Sequence, residues 1–310
     1  GGAAGLTAAL SASQSGLRVV LFDEHNDLGG QLLNETNNLE NANLEEWRAD
    51  IIAALHAASN VKVLTRTVCW GRFDGNTLAA HQSVDGKVRQ NYHKVQAKKI
   101  IIAAGAIERP LVFGNNDKPN VMLASAARRM LNHYGTATGK LLAVFTNNDS
   151  AYQTAFDYAD AGIKVSALVD SRQYPSQTLV DGCQSRGIIL HTQAVVTEAK
   201  GWQAVRSIEI ADLAANAQSV SNRRRVACDV LAHSGGWTPQ VQMASHGGKP
   251  PVFDKKIAAF VVGDQAPDTY SVGAAEGESN LLVNVSQAVD AAKAACAELG
   301  AEAGAVTPPP

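Results

Sequence analysis

Residues 1–31 read GGAAGLTAALSASQSGLRVVLFDEHNDLGGQ: a glycine turn, an alanine-rich segment, a short β-branched run, an acidic pair and a second glycine pair. This is most of a dinucleotide-binding βαβ unit. The last two glycines of a G-x-G-x-x-G turn are three apart, which fits Gly2 and Gly5 and places the first glycine just ahead of Gly1. Gly2 lets the backbone approach a pyrophosphate without a Cβ in the way, and Gly5 lets the helix pack closely on a strand. A helix over 4–15 then turns its free N–H groups and the positive end of its dipole toward phosphate. Arg18 to Phe22 suits a buried parallel strand. Asp23 and Glu24, about 20 residues after the glycines, stand where a carboxylate accepts hydrogen bonds from the adenosine ribose. A 2′-phosphate would be repelled there, which favours NAD over NADP. Gly30, with Gly29, completes the motif.

Working outward, the fold class is α/β, with a second βαβ unit from Lys140. Its strand is KLLAVF, its helix spans 150–161, and the next strand, Ile163 to Asp170, again ends in an acid. At the fingerprint positions this unit carries Thr146, Asn147, Asn148, Asp149, Ser150 and Ala151. Both early glycines are gone. Asn148 puts a side chain where a pyrophosphate must approach, and Asp149 adds like charge, so this half is expected to hold no nucleotide. Between the two units, strands near 61–64, 68–73, 77–82 and 91–96, with turns at Gly75-Asn76 and Asp85-Gly86, form an antiparallel meander. Lys98 to Gly105 gives a further buried strand ending at Ala104-Gly105, close to where cofactors sit in such folds. The expected domains are 1–112 with 225–310, and 113–224 nested between them.

The remaining residues narrow the function. With 29 acidic and 27 basic side chains the net charge is −2, which argues against a nucleic-acid or anionic-membrane partner. No apolar run is long enough to span a membrane. Arg223 to Arg225 reads as a solvated loop. Cys69, Cys183, Cys228 and Cys296 form no C-x-x-C pair, so neither a redox dithiol nor a zinc knuckle is indicated, and a reduced cytoplasmic protein is expected. The histidines show no metal-ligand spacing, and no acid, base or nucleophile stands out as catalytic. A sheet of this kind needs a strand ahead of Gly1, and AGAVTPPP at 303–310 has linker composition, so more chain is expected on both sides.

GAIERPLVFGNNDKPNVMLASAARRMLNHYG (Gly105 to Gly135), TNNDSAY (Thr146 to Tyr152) and SGGWTP (Ser234 to Pro239) resemble the alpha subunits of heterotetrameric sarcosine oxidases, within the two-dinucleotide-binding flavoprotein family. The resemblance implies two Rossmann-like domains of the glutathione-reductase type, with inserted meanders. It implies NAD in the first cradle, amine oxidation at FAD on a beta subunit, and FMN between subunits passing electrons to oxygen. It also implies a small upstream domain and a folate-binding domain downstream. Carried over by motif, Ala4 and Gly5 contact pyrophosphate, Asp23, Glu24 and His25 the adenosine end, and Gln31, Cys69 and the turn Ala274, Ser279, Leu281 the remainder. Flavoprotein relatives follow the glycine of the late strand with Asp. This chain has Gly273-Ala274, which disfavours FAD by about 1 to 3 kcal/mol for an unmade hydrogen bond. Two alternatives stay open: a self-contained FAD-dependent NAD(P)H reductase, and a non-catalytic scaffold stabilised by nucleotide.

Overall fold

A computed structural model describes residues 1–35, 43–87, 89–247 and 249–309. Most of the polar loop expected over 34–43 therefore lies outside the described residues. The chain divides into two compact units, Gly1–Ile107 with Thr238–Pro310, and Glu108–Trp237, whose residues fall between those two segments in sequence.

The outer unit opens with helix α1 (Ala3–Ser13), strand β1 (Val19–Phe22), helix α2 (Leu44–Ala57) and strand β2 (Val61–Leu64). β1 and β2 pair in parallel, Val19 beside Val61 through Phe22 beside Leu64. The meander follows as β3 (Thr67–Phe73), β4 (Thr77–Ser83) and β5 (Gln90–Gln96), antiparallel throughout. Its turns fall at the expected glycines, with Gly75, Asn76 and Gly86 all at positive φ. β6 (Ile100–Ile102) ends the run.

β7 (Ala106–Glu108) leads into the inner unit, which comprises β8 (Val121–Leu123), α3 (Ala124–Asn132), β9 (Leu141–Thr146), α4 (Ser150–Asp160), β10 (Lys164–Asp170), α5 (Gln177–Ser185) and β11 (Leu190–His191), then β12 (Ala194–Lys200), β13 (Ser207–Leu213), β14 (Val220–Ala227) and β15 (Val230–Ser234). The parallel sheet has the order β11-β10-β9-β15-β8, and β12, β13 and β14 form a separate antiparallel sheet. Alternation along β9 explains the layering. Leu142 and Val144 pack with Ala127, Tyr152 and Ala155 of the helices, while Ala143 and Phe145 pack with Val196, Ile208 and Ile210 of the antiparallel sheet.

β15 marks where this division departs from the boundary expected at 224/225. Its backbone pairs with β9 from Val230 beside Leu142 to Ser234 beside Thr146, so it belongs to the inner sheet. The three arginines expected in a loop lie in β14 instead. Arg223 pairs with Glu209 and Arg224 with Asp212, and Arg225 Nε donates to Ser207 Oγ.

After β16 (Trp237–Pro239) the outer unit resumes with α6 (Gln242–Ser245), the hairpin β17 (Val252–Asp254) and β18 (Ala259–Val261), β19 (Thr269–Ser271) and α7 (Leu281–Ala297). β19 pairs in parallel with β6. Thus the outer unit carries two parallel ladders, β1-β2 and β6-β19, and no third strand joins either among the described residues. α1 straddles both. Its small residues let it lie close to α7, whose facing surface is also small: Ala288, Ala291, Ala292 and Ala295 are buried.

Candidate functional site: a glycine cradle in the outer unit

Two glycine pairs cross at the start of α1. Gly29 N donates to Gly1 O at 2.8 Å, and Gly2 and Gly29 form a parallel bridge. Gly29 and Gly30 both have positive φ, 137° and 56°. A Cβ on Gly30 would stand 2.9 Å from Gly2 Cα, closer than packed atoms tolerate, whereas one on Gly2 would find its nearest atom, Gly30 Cα, at an ordinary 3.8 Å. The steric demand therefore falls on Gly30. Gly5 does what its motif position requires: its Cβ position touches Ala103 at 3.4 Å and Leu21 at 4.0 Å, seating α1 on both ladders at once. The backbone N–H groups of Ala3, Ala4 and Gly5 begin the helix with no side-chain cap from Gly2, which leaves a positive helix end at the glycine crossing.

The acidic pair divides its work. Asp23 is buried and its carboxylate lies 2.9 Å from the Gly1 nitrogen, accepting also from His25 N at 2.7 Å. Burial works against its charge, and the hydrogen bond from His25 N opposes that effect. Glu24 is exposed, leaving its carboxylate open to a ligand. The His25 ring stands 3.3 Å from Asp23 Oδ1 with half its side chain exposed. The start of β3 closes this end, with Thr67 N donating to Asp23 O and Arg66 N to His25 O.

Ala4 meets Gly273, whose φ is +74° and whose Cβ would stand 2.9 Å from Ala4 Cβ. Ala274 continues that turn, and Leu281 opens α7, which is capped by Asn280 Oδ1 accepting from Leu282 N and Val283 N. Gln31 is exposed and accepts from Asn34. Cys69 is half-buried against the apolar cluster of Leu78, Ile100 and Ile102, and burial pushes its thiol up, which suits an apolar filler. Ala104 and Gly105 follow Ala103, but both carbonyls accept from Gln240. Sequence reading does not single out Asn284, because an Asn in a first helical turn reads as ordinary.

In the inner unit the corresponding position is filled. Asn148 Nδ2 donates to Ser234 O at 3.1 Å and Ser234 Oγ at 3.0 Å, and its Oδ1 accepts from Ser150 N and Oγ. Trp237 Nε1 donates to Ser150 Oγ at 2.9 Å. Asp149 pairs with Arg172 at 2.6 Å. Asp170, the acid at the end of β10, is fully buried and consumed by the Tyr152 hydroxyl and the Arg172 guanidinium. Glu108 lies beneath, buried, accepting from Ser125 N and Oγ. Its carboxyl is raised by burial, a shift the serine hydrogen bonds oppose. Arg109 Nε donates to Gly235 O.

Among the described residues no group of three or more His, Cys, Asp or Glu is placed to hold a metal ion, and no helix is long and apolar enough to cross a membrane. All four cysteines are free.

A glycine crossing at a helix N-terminus, with an acid at the end of the adjoining parallel strand, defines a dinucleotide-binding protein of the doubly wound class. The chain belongs to the pyridine nucleotide-disulphide oxidoreductase family, whose profile matches residues 1–277. It is 36% identical over 308 residues to sarcosine oxidase subunit alpha of Rhizobium meliloti, covering 96% of this chain and 30% of that protein. It is 34% identical over 310 residues to the subunit of the same name from Corynebacterium sp. strain P-1, covering 96% of this chain and 32% of the relative. The chain thus spans about a third of the length of these curated relatives. Among solved structures, thioredoxin reductase from T. acidophilum matches with a TM-score of 0.72 at 18% identity, covering 96% of each chain. L-proline dehydrogenase from P. horikoshii matches with a TM-score of 0.71 at 19% identity, covering 98% of this chain and 55% of that one. At these identities the likeness concerns the fold.

Proposed function

We propose that this chain is the nucleotide-holding part of the alpha subunit of a multisubunit sarcosine oxidase, with NAD in the outer cradle. Amine oxidation then takes place at FAD on a beta subunit, with FMN between subunits, and a folate-binding domain belongs to the remainder of the alpha chain. The observation that carries the reading is the contrast between the two units. Gly2, Gly29, Gly30 and Gly273 keep side chains away from the start of α1, while Asn148, Asp149 and Asp170 occupy the same place in the inner unit with bonds of their own. The residues present fit the dinucleotide. The α1 N–H groups would meet the diphosphate, Glu24 and Asp23 the adenosine ribose, and the α7 end the second half. NAD, when bound, supplies a nicotinamide able to accept hydride; this chain binds, orients and shields it.

The test is the visible spectrum of the purified complete subunit, followed by release and mass identification of its nucleotide. A colourless preparation releasing NAD is expected. A flavin spectrum from this subunit alone would overturn the NAD assignment in favour of an FAD-dependent reductase. Peroxide formation from sarcosine on adding the partner subunits, and none without them, is expected of the oxidase reading.

A further inference from the structure

Three buried side-chain atoms have no hydrogen-bond partner among the described residues, and one of them, Asn284 Oδ1, lies at the cradle. Asn284 stands in the first turn of α7. Its Oδ1 is 3.6 Å from the place a Cβ on Gly273 would take, the same place that is 2.9 Å from Ala4 Cβ. The amide's other end is occupied, with Nδ2 3.5 Å from Glu278 O. The acceptor oxygen therefore faces the Gly273 and Ala4 side. Leaving a buried acceptor unpaired is costly, so a donor belongs beside it.

Topology identifies the donor. Asp23 directly follows β1 and Gly273 lies two residues beyond β19, and α1 straddles the two ladders, with Gly5 between Leu21 and Ala103. Asp23 and Gly273 therefore flank the N-terminus of α1 on opposite sides. A dinucleotide with its adenosine ribose at Asp23 and Glu24, and its diphosphate over the helix end, carries its second sugar toward Asn284. Ionised phosphate oxygens only accept hydrogen bonds and cannot satisfy an amide oxygen. A sugar hydroxyl can.

We infer that Asn284 Oδ1 accepts a hydrogen bond from a hydroxyl of the second sugar and so distinguishes a complete dinucleotide from a nucleoside diphosphate. The inference rests on the outer cradle holding a dinucleotide. The same donor is offered by the second ribose of NAD and by the ribityl chain of FAD, and the ligands below separate these.

The experiment is calorimetric titration of the complete subunit, stripped of nucleotide, with NAD, ADP-ribose, FAD and ADP. In Asn284→Ala, NAD and ADP-ribose are expected to weaken roughly three- to tenfold, the worth of one neutral hydrogen bond, with ADP unchanged. Thr7→Val, which removes the unpartnered hydroxyl on α1, is expected to leave all four affinities as in the wild type. Equal affinity of wild type and Asn284→Ala for ADP-ribose, or an equal loss for ADP, overturns the inference while leaving NAD in the cradle. The same selective loss in Thr7→Val also overturns it, because the two oxygens would then serve the α1–α7 seam. If the wild type binds FAD and not NAD, and Asn284→Ala weakens FAD but not ADP, the inference stands with the ribityl hydroxyl as donor and the NAD assignment falls. A wild type that binds none of the four overturns both.

Discussion

Gly30→Ala is expected to break the cradle through the protein itself, before any ligand is considered. Gly30 holds φ +56°, and placing an L-side chain in that left-handed region costs about 1–2 kcal/mol. The added Cβ would also stand 2.9 Å from Gly2 Cα and 3.6 Å from Gly2 N. These are backbone atoms at the start of α1, with no flexible side-chain end to swing aside, so either the Gly29–Gly30 turn or the helix entry must move. Together the two effects amount to roughly 2–5 kcal/mol, with overpacking alone worth about 1–3. At roughly 2–4 °C per kcal/mol that is a fall of about 4–20 °C in the melting temperature.

Gly2→Ala supplies the contrast. Gly2 has φ −78° and ψ −173°, ordinary extended backbone, and its Cβ would meet only ordinary contacts. The unliganded melting temperature is expected to stay near the wild-type value. Differential scanning calorimetry on stripped protein, followed by nucleotide titration, reads both effects. Gly30→Ala should lose at least about tenfold in affinity, since displacement worth 1.4 kcal/mol at the phosphate suffices. Wild-type melting and wild-type nucleotide affinity in Gly30→Ala would refute the reasoning, as would a larger loss of stability in Gly2→Ala.

Asn148→Gly removes the bonds to Ser234 and Ser150 and is expected to cost about 1 kcal/mol of stability with unchanged nucleotide content; loss of nucleotide as large as in Gly30→Ala, read by release and chromatography, would contradict the occupied-position reading. Arg128→Met leaves the Asp157 charge to the Asn132 and Gln153 amides on the buried seam between α3 and α4, where the ion pair is 2.6 Å apart, and is expected to destabilise by about 3–5 kcal/mol in denaturant titration without altering which nucleotide is released. His233, buried with Nδ1 accepting from Leu111 N, is pushed down to about 4 by burial. Since its folded value lies below the unfolded one, its neutral form contributes stability in full above pH ~6.5, lost as pH falls through 6.5 toward about 4, up to about 3 kcal/mol by linkage. His233→Gln should flatten that acid limb in pH-dependent unfolding, and an unchanged limb would remove His233 as its cause.

What could be read from sequence follows from the range of the forces involved. The α1 and β1 segments, the βαβ of the inner unit and the meander turns were legible because glycine placement and short apolar runs act locally: Gly75 and Gly86 sit at positive φ where the turns were expected. The domain to which β15 belongs was not legible, since VLAHS reads as a buried strand in any parallel sheet, and only its pairing with β9 assigns it. The arginines of β14 mislead for a related reason. A run of charge reads as loop, yet on a strand pairing β13 those side chains meet Glu209, Asp212 and Ser207.

The site shows the same division at finer scale. A motif names the positions where glycine is required but cannot say what each glycine faces: the tight contact within the protein falls on Gly30, because the 29–30 turn crosses over the first, a relation between residues 28 positions apart. Asp23 and Glu24 are equivalent in sequence, and only the fold buries one against Gly1 while exposing the other. Mutation should therefore separate them. Glu24→Gln leaves the Gly1–Asp23 contact intact and is expected to weaken binding of the adenosine end alone, whereas Asp23→Asn disturbs the glycine crossing and hence every part of the ligand, so a nucleotide lacking its second half reports on both and a second-half fragment only on Asp23.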